Sequence, residues 1–471
     1  MKITFGVLLA LILISAFVWT SCKKKNTQAE NTSQEQKEIL PTLQPDWAKN
    51  AVIYEVNVRQ FSEEGTFNAF SKDIDRLKDL GIDILWFMPV YPISEKNKKG
   101  TLGSYYAVSD YEAVNPEFGT MEDFENMVAK IHEAGMKIIL DWVPNHTGWD
   151  HVWLENHKDY FTQDSAGNVI DPIDPETGKS WGWTDVADLN YDNKEMRQQM
   201  ISSMLFWLDN KNIDGFRVDV AHNVPNDFWD EVQIALRANH NPFMLAEGEV
   251  PYHRNSGTFA MDYAWTFHHL MNEIAKGEKP AAAIDKWLEE DRAKYNRGYH
   301  MQFITNHDEN AWNGTEFERM GDGVDAFAVL SFTFDGMPLI YTGQESAYNK
   351  RMEFFEKDPV DWGTYEKTDF YKTLIQLKHN NQALWNGEFG GEPVKLDNTG
   401  KDEQVYAFYR EKGEDRVVVA INLSDEPVEI TLDNDNIAGN YSNILGNGTM
   451  NLTAGSKIPL AAWEPIVLAK N

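Results

Sequence analysis

Four apolar runs in this chain end in residues that can carry charge or move protons. Ile138-Ile139-Leu140 leads into Asp141 and then His146; Phe216-Arg217-Val218 leads into Asp219, with His222 close behind. Phe243-Met244-Leu245-Ala246 ends at Glu247, and Phe303-Ile304-Thr305 leads into Asn306-His307-Asp308. One polar residue at a strand end is usually a cap or a loop contact. Four such ends, each with a carboxylate, a histidine or an arginine, point to one site. Two carboxylates, one ionised to attack and one protonated to donate, are the equipment of glycoside hydrolysis. Arg217 and Asp219 stand two apart on a strand and so share a face. A guanidinium there would hold Asp219 ionised, as a nucleophile requires; a structural ion pair is the plainer alternative. Glu247 directly ends its apolar run, where partial burial and neighbouring negative charge would raise its pKa, as a general acid requires. Glu249, in Gly248-Glu249-Val250, is its rival. A third carboxylate at Asp308 would hold sugar hydroxyls and steady positive charge developing on the anomeric carbon.

The elements that must position these groups are legible as alternation. Strand candidates are 52–58, 84–89, 137–143, 214–220, 243–247, 258–263, 301–305 and 338–342, with amphipathic stretches such as 67–80, 121–134, 195–209 and 228–238 between them. Eight buried-type strands with intervening helices fit a (β/α)8 TIM barrel, whose strand ends converge on one face. A doubly wound open sheet also alternates, but no glycine-rich phosphate loop follows the first strand. The barrel should occupy 46–380. The stretch at about 146–190 is too long for a simple strand-to-helix loop and reads as an inserted small domain. From 385 to 471 short β-type runs with no helices between them predict a separate antiparallel β-sandwich domain.

Composition narrows the partners. The formal charge of −31 argues against nucleic acid, which needs clustered Lys and Arg, and suits a neutral substrate. The sixteen tryptophans are either core or the lining of a sugar cleft. No intramolecular disulfide is possible, because Cys22 is the one cysteine. It follows an apolar stretch from Phe5 to Trp19, shorter than the roughly 20 residues of a membrane-spanning helix. Residues 1–22 resemble a bacterial lipoprotein signal, in which Cys22 is lipidated and becomes the new N-terminus. Trp19 and Lys23-Lys24-Lys25 depart from that pattern, and ordinary cleaved secretion or an uncleaved anchor are the alternatives. Residues 23–45 are polar and without apolar period, a flexible tether to a membrane in the cell envelope, with order beginning near Trp47.

Taken in order, the four strand ends resemble the signature regions of the α-amylase family, glycoside hydrolase family 13. Gly103-Ser104-Tyr105-Tyr106-Ala107-Val108-Ser109-Asp110-Tyr111, Ala187-Asp188-Leu189-Asn190 and the run Gly336–Glu345 match as well. The resemblance spans about residue 47 to the C-terminus and is strongest in the barrel. It implies Asp219 as nucleophile, Glu247 as acid/base and Asp308 as transition-state stabiliser. It implies Tyr106 stacked under the sugar, with His146, Arg217 and His307 holding its hydroxyls or the nucleophile. The insertion would be the family's domain B and the terminal β-domain its domain C. The family's calcium, where present, falls on Asn145 and Asp188, although Asp188-Leu189-Asn190 also resembles members without it; no organic cofactor is implied. Ala221 precedes His222 where many α-amylases have lysine, which loosens the expectation of α-1,4 endo cleavage of starch or maltodextrins. A neopullulanase- or cyclomaltodextrinase-like enzyme and a transglycosylase are alternatives within the family. A non-catalytic glucan-binding lipoprotein, or a membrane-linked chaperone, is the alternative outside it, and retention of all three carboxylates argues against both.

Overall fold

Eight short parallel strands close on themselves in the computed structural model, which describes residues 41–174 and 177–471. They are Ile53–Val56, Ile84–Phe87, Lys137–Trp142, Gly215–Val218, Phe243–Ala246, Met261–Tyr263, Tyr299–Gln302 and Met337–Tyr341. The first pairs with the last through Ile53 and Leu339, so the sheet has no edge. Every expected strand is present. The seventh lies earlier than its sequence suggests, which leaves Phe303-Ile304-Thr305 and the His307-Asp308 pair on the loop after it.

Parallel strands buried on both faces read as continuous apolar runs, because side chains alternate between barrel interior and helix layer. Ile53, Ile84, Trp86, Ile139, Phe243, Leu245, Met261, Tyr263 and Leu339 form the interior cluster. Tyr54, Leu85, Leu140, Phe216, Val218, Met244 and Ala246 pack outward against helices. The same alternation turns Glu55, Asp141, Arg217, Asp219 and Glu247 inward at the C-terminal rim. Gly215 shares the inward face below Arg217. A Cβ there would meet the Phe243 carbonyl oxygen at 2.0 Å, so only glycine lets the fourth and fifth strands close up.

The helices carry their own start signals. Thr120 and Asp123 form a reciprocal capping box ahead of helix Met121–Glu133, which buries Phe124, Met127, Val128 and Ile131 at helical spacing. Asn193 caps Lys194–Lys211, the helix that returns the chain from the insertion. Inside the insertion, His146–Gly148 pairs antiparallel with Val186–Asp188.

After helix Thr368–Asn380 the chain becomes all-β. A six-stranded antiparallel sheet and a two-stranded one, Val428–Leu432 with Ser456–Leu460, enclose their own core around Val405, Ile430, Leu452 and Leu468. The junction with the barrel is tight. Fully buried Arg410 donates to the carbonyls of Phe334 (2.6 Å), Gly391 (2.6 Å) and Trp385 (2.8 Å), and Phe334 packs edge-on against Phe408. Burying an arginine requires this saturation of its donors.

One expectation changes at the N-terminal end. Cys22, the signal-like segment and most of the tether lie outside the described residues. The tether does not extend to residue 45: Leu43 is fully buried and its N–H donates to the Gly257 carbonyl at 3.0 Å. The short apolar stretch Ile39-Leu40-Pro41-Thr42-Leu43 carries no helical or strand period, which is why the sequence hid it.

Candidate active site

The three expected catalytic carboxylates face one cleft of about 630 Å³ at the C-terminal rim of the barrel. Tyr106, His146, His222 and His307 line it too, as expected of them, while Arg217 lies fully buried beneath. Its position explains the arrangement. Nη1 donates to Asp141 Oδ1 (2.7 Å) and Asp219 Oδ1 (3.0 Å), Nε donates to the Tyr263 hydroxyl (3.1 Å), and Nη2 stands 2.9 Å from Glu247 Oε2. One guanidinium therefore bridges nucleophile and acid candidates. Retention of configuration needs their carboxyl groups about 5–5.5 Å apart, a span such a bridge can set.

The backbone just after Asp219 is strained. Val220 sits in the left-handed region at φ 44°, costly for a β-branched residue. That turn aims its N–H at Glu247 Oε2 (2.7 Å). Asp219 N–H and Glu247 N–H still donate along the barrel, to Trp142 O (2.8 Å) and Val218 O (2.9 Å). Both carboxylates are thus one residue beyond their strands and held by the barrel ladder.

The protonation pattern departs from the sequence expectation. Burial raises the Asp219 pKa well above the carboxylate range, and the charge of Glu247 adds to it. Burial also works to raise Glu247, but Arg217 and the Val220 N–H outweigh it, and its pKa is lowered. The expectation had Arg217 favouring Asp219 alone. In the structure the guanidinium is shared among Asp141, Asp219 and Glu247, and Glu247 gains the backbone donor as well. Burial raises Asp308, against the pull of His307.

Glu249 is engaged outside the cleft. Its carboxylate accepts from Thr266 N (3.1 and 3.2 Å) and Thr266 Oγ1 (2.9 Å), capping the helix Trp265–Ala275 away from the cleft lining.

Around these groups runs a network through Glu55, Asp141 and Trp86, to which the sequence reading gave no roles. Glu55, fully buried, takes His307 Nδ1 at 2.5 Å, and His307 Nε2 lies 2.8 Å from the Tyr106 hydroxyl. That hydroxyl donates to Asp141 Oδ2 (3.1 Å), which also accepts from Trp86 Nε1 (3.2 Å). Tyr106 is thereby fixed flat, stacked with His307 at 5.5 Å. A charge inside the run Val52-Ile53-Tyr54-Glu55-Val56 was the available signal for Glu55. From the insertion, Trp181 and Trp183 stack on each other (5.9 Å, 20°) along the cleft wall; two tryptophans in a polar loop were their signal. His146 is neutral: burial brings it down to about 4.

Burial pushes His307 down, but Asp308 and Glu55 outweigh it and raise its pKa to about 9. The imidazolium then donates from both nitrogens, to Glu55 and Tyr106. An unfolded histidine titrates near 6.5, so this contribution is full below about pH 6.5 and is lost as pH rises through about 9. His300, raised to about 9 chiefly by Asp262 against its own burial, acts in the same window. Melting temperature should therefore fall between pH 6.5 and 9, and His307→Gln should flatten part of that fall. An unchanged slope in the variant would reject a charged His307.

Asn145 and Asp188 lie side by side, because His146 pairs with Asp188 and Leu189 N–H donates to Asn145 O (3.2 Å). By themselves they would supply only part of a calcium site. Calcium takes six to eight oxygens, and the Asn145 amide nitrogen is turned to His146 Nδ1 (3.2 Å). Among the described residues no group of three His, Cys, Asp or Glu is placed to hold a metal.

Comparison with known proteins agrees with the geometry. A family model described as the α-amylase catalytic domain matches residues 25–417, and one described as the C-terminal domain of the α-amylase SusG matches 405–467. α-Amylase MalA of Haloarcula japonica is 28% identical over 88% of this chain; the chain spans 62% of that relative's length. α-Amylase 3 of Dictyoglomus thermophilum is 29% identical over 80% of this chain and 85% of its own. The crystal structure of a maltogenic α-amylase, AmyB, from Thermotoga neapolitana matches with a TM-score of 0.80 at 26% identity, covering 90% of this chain and 99% of that one.

Proposed function

The chain belongs to the α-amylase family, and from that premise we propose that it is a retaining glycoside hydrolase cleaving α-glucosidic bonds, mainly α-1,4, in starch or maltodextrins. The observation that carries the reading is Arg217, buried under the cleft and bridging Asp219 and Glu247. A sugar ring rests on Tyr106 with its anomeric carbon above Asp219. Asp219 attacks that carbon while Glu247 gives its proton to the departing glycosidic oxygen, and a glycosyl ester to Asp219 results. Glu247 then takes a proton from water, whose oxygen displaces Asp219 and restores the α configuration. Asp308 and the imidazolium of His307 hold ring hydroxyls and the charge that develops on the ring. In the free site the proton rests more readily on Asp219 than on Glu247. We infer that the bound sugar reverses this order, since it shields Glu247 from solvent and presents the oxygen that Glu247 must protonate. Release of reducing ends from soluble starch by the purified protein tests the reading; no release from starch or maltooligosaccharides would sink it.

A neopullulanase-like or transglycosylating enzyme is favoured by one feature. Ala221 is fully buried and His222 lines the cleft, so no lysine stands beside His222 to grip the leaving side of the sugar chain. His222 Nδ1 lies 3.3 Å from Glu247 O, close to the acid. Product profiles on starch, pullulan and maltotriose separate these readings.

We further propose that the protein is held in the cell envelope by a lipid on Cys22, from its place after an apolar signal-like segment. Cys22→Ser should release the protein from membranes or block its processing, and fractionation identical to wild type would reject the anchor. Calcium, if bound at Asn145 and Asp188, must take further oxygens from backbone and water. Chelation with EDTA should then lower the melting temperature and added calcium should restore it; an unmoved melting temperature would reject the site.

A further inference from the structure

A chain of aromatic rings leads out of the cleft from the catalytic carboxylates. Tyr106, stacked with His307, also stacks with Phe354 (6.2 Å, 14°), and Phe354 meets Trp312 at 5.3 Å. Trp312 in turn meets Phe355 at 5.9 Å. Trp312 is 52% exposed, a poor place for the largest apolar side chain. Its position is nevertheless fixed. It stands on a five-residue π-helical turn, Glu309–Asn313, that begins directly after Asp308, and such turns gather at functional sites. The turn is pinned on both sides: Glu309 pairs with buried His268 (3.1 Å) and accepts from Asn313 Nδ2 (2.8 Å), while Asn310 Oδ1 accepts from Met352 N (2.8 Å).

Trp312, Phe354 and Phe355 border two spaces at once. One is the catalytic cleft, and the other is an adjoining pocket of about 350 Å³ that also includes Gly100, Arg351 and Glu353. That volume lies in the range of small-molecule pockets, about 300–1,000 Å³. Gly100 gives the pocket its depth. It sits at φ 63°, and a Cβ there would run into Phe355 Cβ at 2.4 Å. Arg351 is held in place by Glu318, which accepts from its Nε at 2.8 Å and its Nη2 at 3.3 Å.

We propose that this adjoining pocket is an additional sugar subsite, and that an α-glucan passes from Asp308 over the ring of Trp312 into it. The inference rests on the α-glucan reading above. Trp312 offers a flat apolar face to the C–H face of a pyranose, and Arg351 and Glu353 offer a donor and an acceptor to its hydroxyls. Trp312 is then a specificity-determining residue, felt only by substrates long enough to reach it.

The test is the ratio of kcat/KM on maltoheptaose to that on maltotriose, measured on the full chain. Trp312→Ala should lower this ratio by about two- to tenfold, the size of one aromatic contact, and Trp312→Phe should restore most of it. Arg351→Ala should lower it in the same direction; that side chain is exposed, so it decides the matter even where Trp312→Ala fails to fold. Activity with unchanged ratios in both alanine variants, including equal losses on both substrates, overturns the subsite alone. A wild-type protein inactive on every α-glucan overturns the α-glucan reading and the subsite with it.

Discussion

Asp219→Asn is expected to lower kcat by about 10⁴-fold or more on every α-glucan, the scale on which removal of a nucleophile acts. The loss should not depend on chain length or leaving group, because no attack can occur. The fold should survive, since burial and the charge of Glu247 already disfavour the ionised Asp219 that the variant removes. Melting temperature should hold, and binding of maltooligosaccharide by the inactive variant should persist. Substantial turnover in Asp219→Asn, with folding intact, would move the nucleophile elsewhere in the cleft.

Glu247→Gln should behave differently. Loss of general acid catalysis costs about 10²–10⁴-fold on starch, whose leaving group must be protonated. On α-glucosyl fluoride, which departs without a proton, the first step should be far less affected. Glu249→Gln should show no such split, because Glu249 is spent on capping the helix at Thr266. It should cost some stability instead, about 0.3–1 kcal/mol, because the amide keeps one acceptor for Thr266 but loses the negative charge at the helix N-terminus. If Glu249→Gln shows the leaving-group dependence and Glu247→Gln does not, the acid has been misplaced by two residues.

The barrel was legible because its strands are buried on both faces, so each reads as an apolar run bounded by polar residues. The catalytic groups were legible for a related reason. Asp219 and Glu247 are the first residues past the apolar interior, where the barrel ladder still holds their N–H groups. What stayed hidden depends on long-range pairing. Nothing near Glu55 announces that His307, 252 residues further along the chain, will be its partner. The sharing of Arg217 among three carboxylates hid for the same reason, and with it the order of the Asp219 and Glu247 pKa values. Two-residue spacing places Arg217 beside Asp219 but cannot say that Glu247, from the next strand, arrives at its other nitrogen. Trp312 was invisible in a different way: a single tryptophan, unlike the pair Trp181 and Trp183, reads alike whether it is core or cleft.

The anomeric configuration of the first-formed product tests the central claim most directly. If Asp219 is the nucleophile and Glu247 the acid, as proposed, hydrolysis passes through a glycosyl ester and keeps its configuration. Proton NMR during the first turnovers on a maltooligosaccharide should show the α-anomer appearing first and the β-anomer only as mutarotation proceeds. The β-anomer appearing first would mean direct attack by water on the far face, and would contradict the assignment of Asp219 as nucleophile.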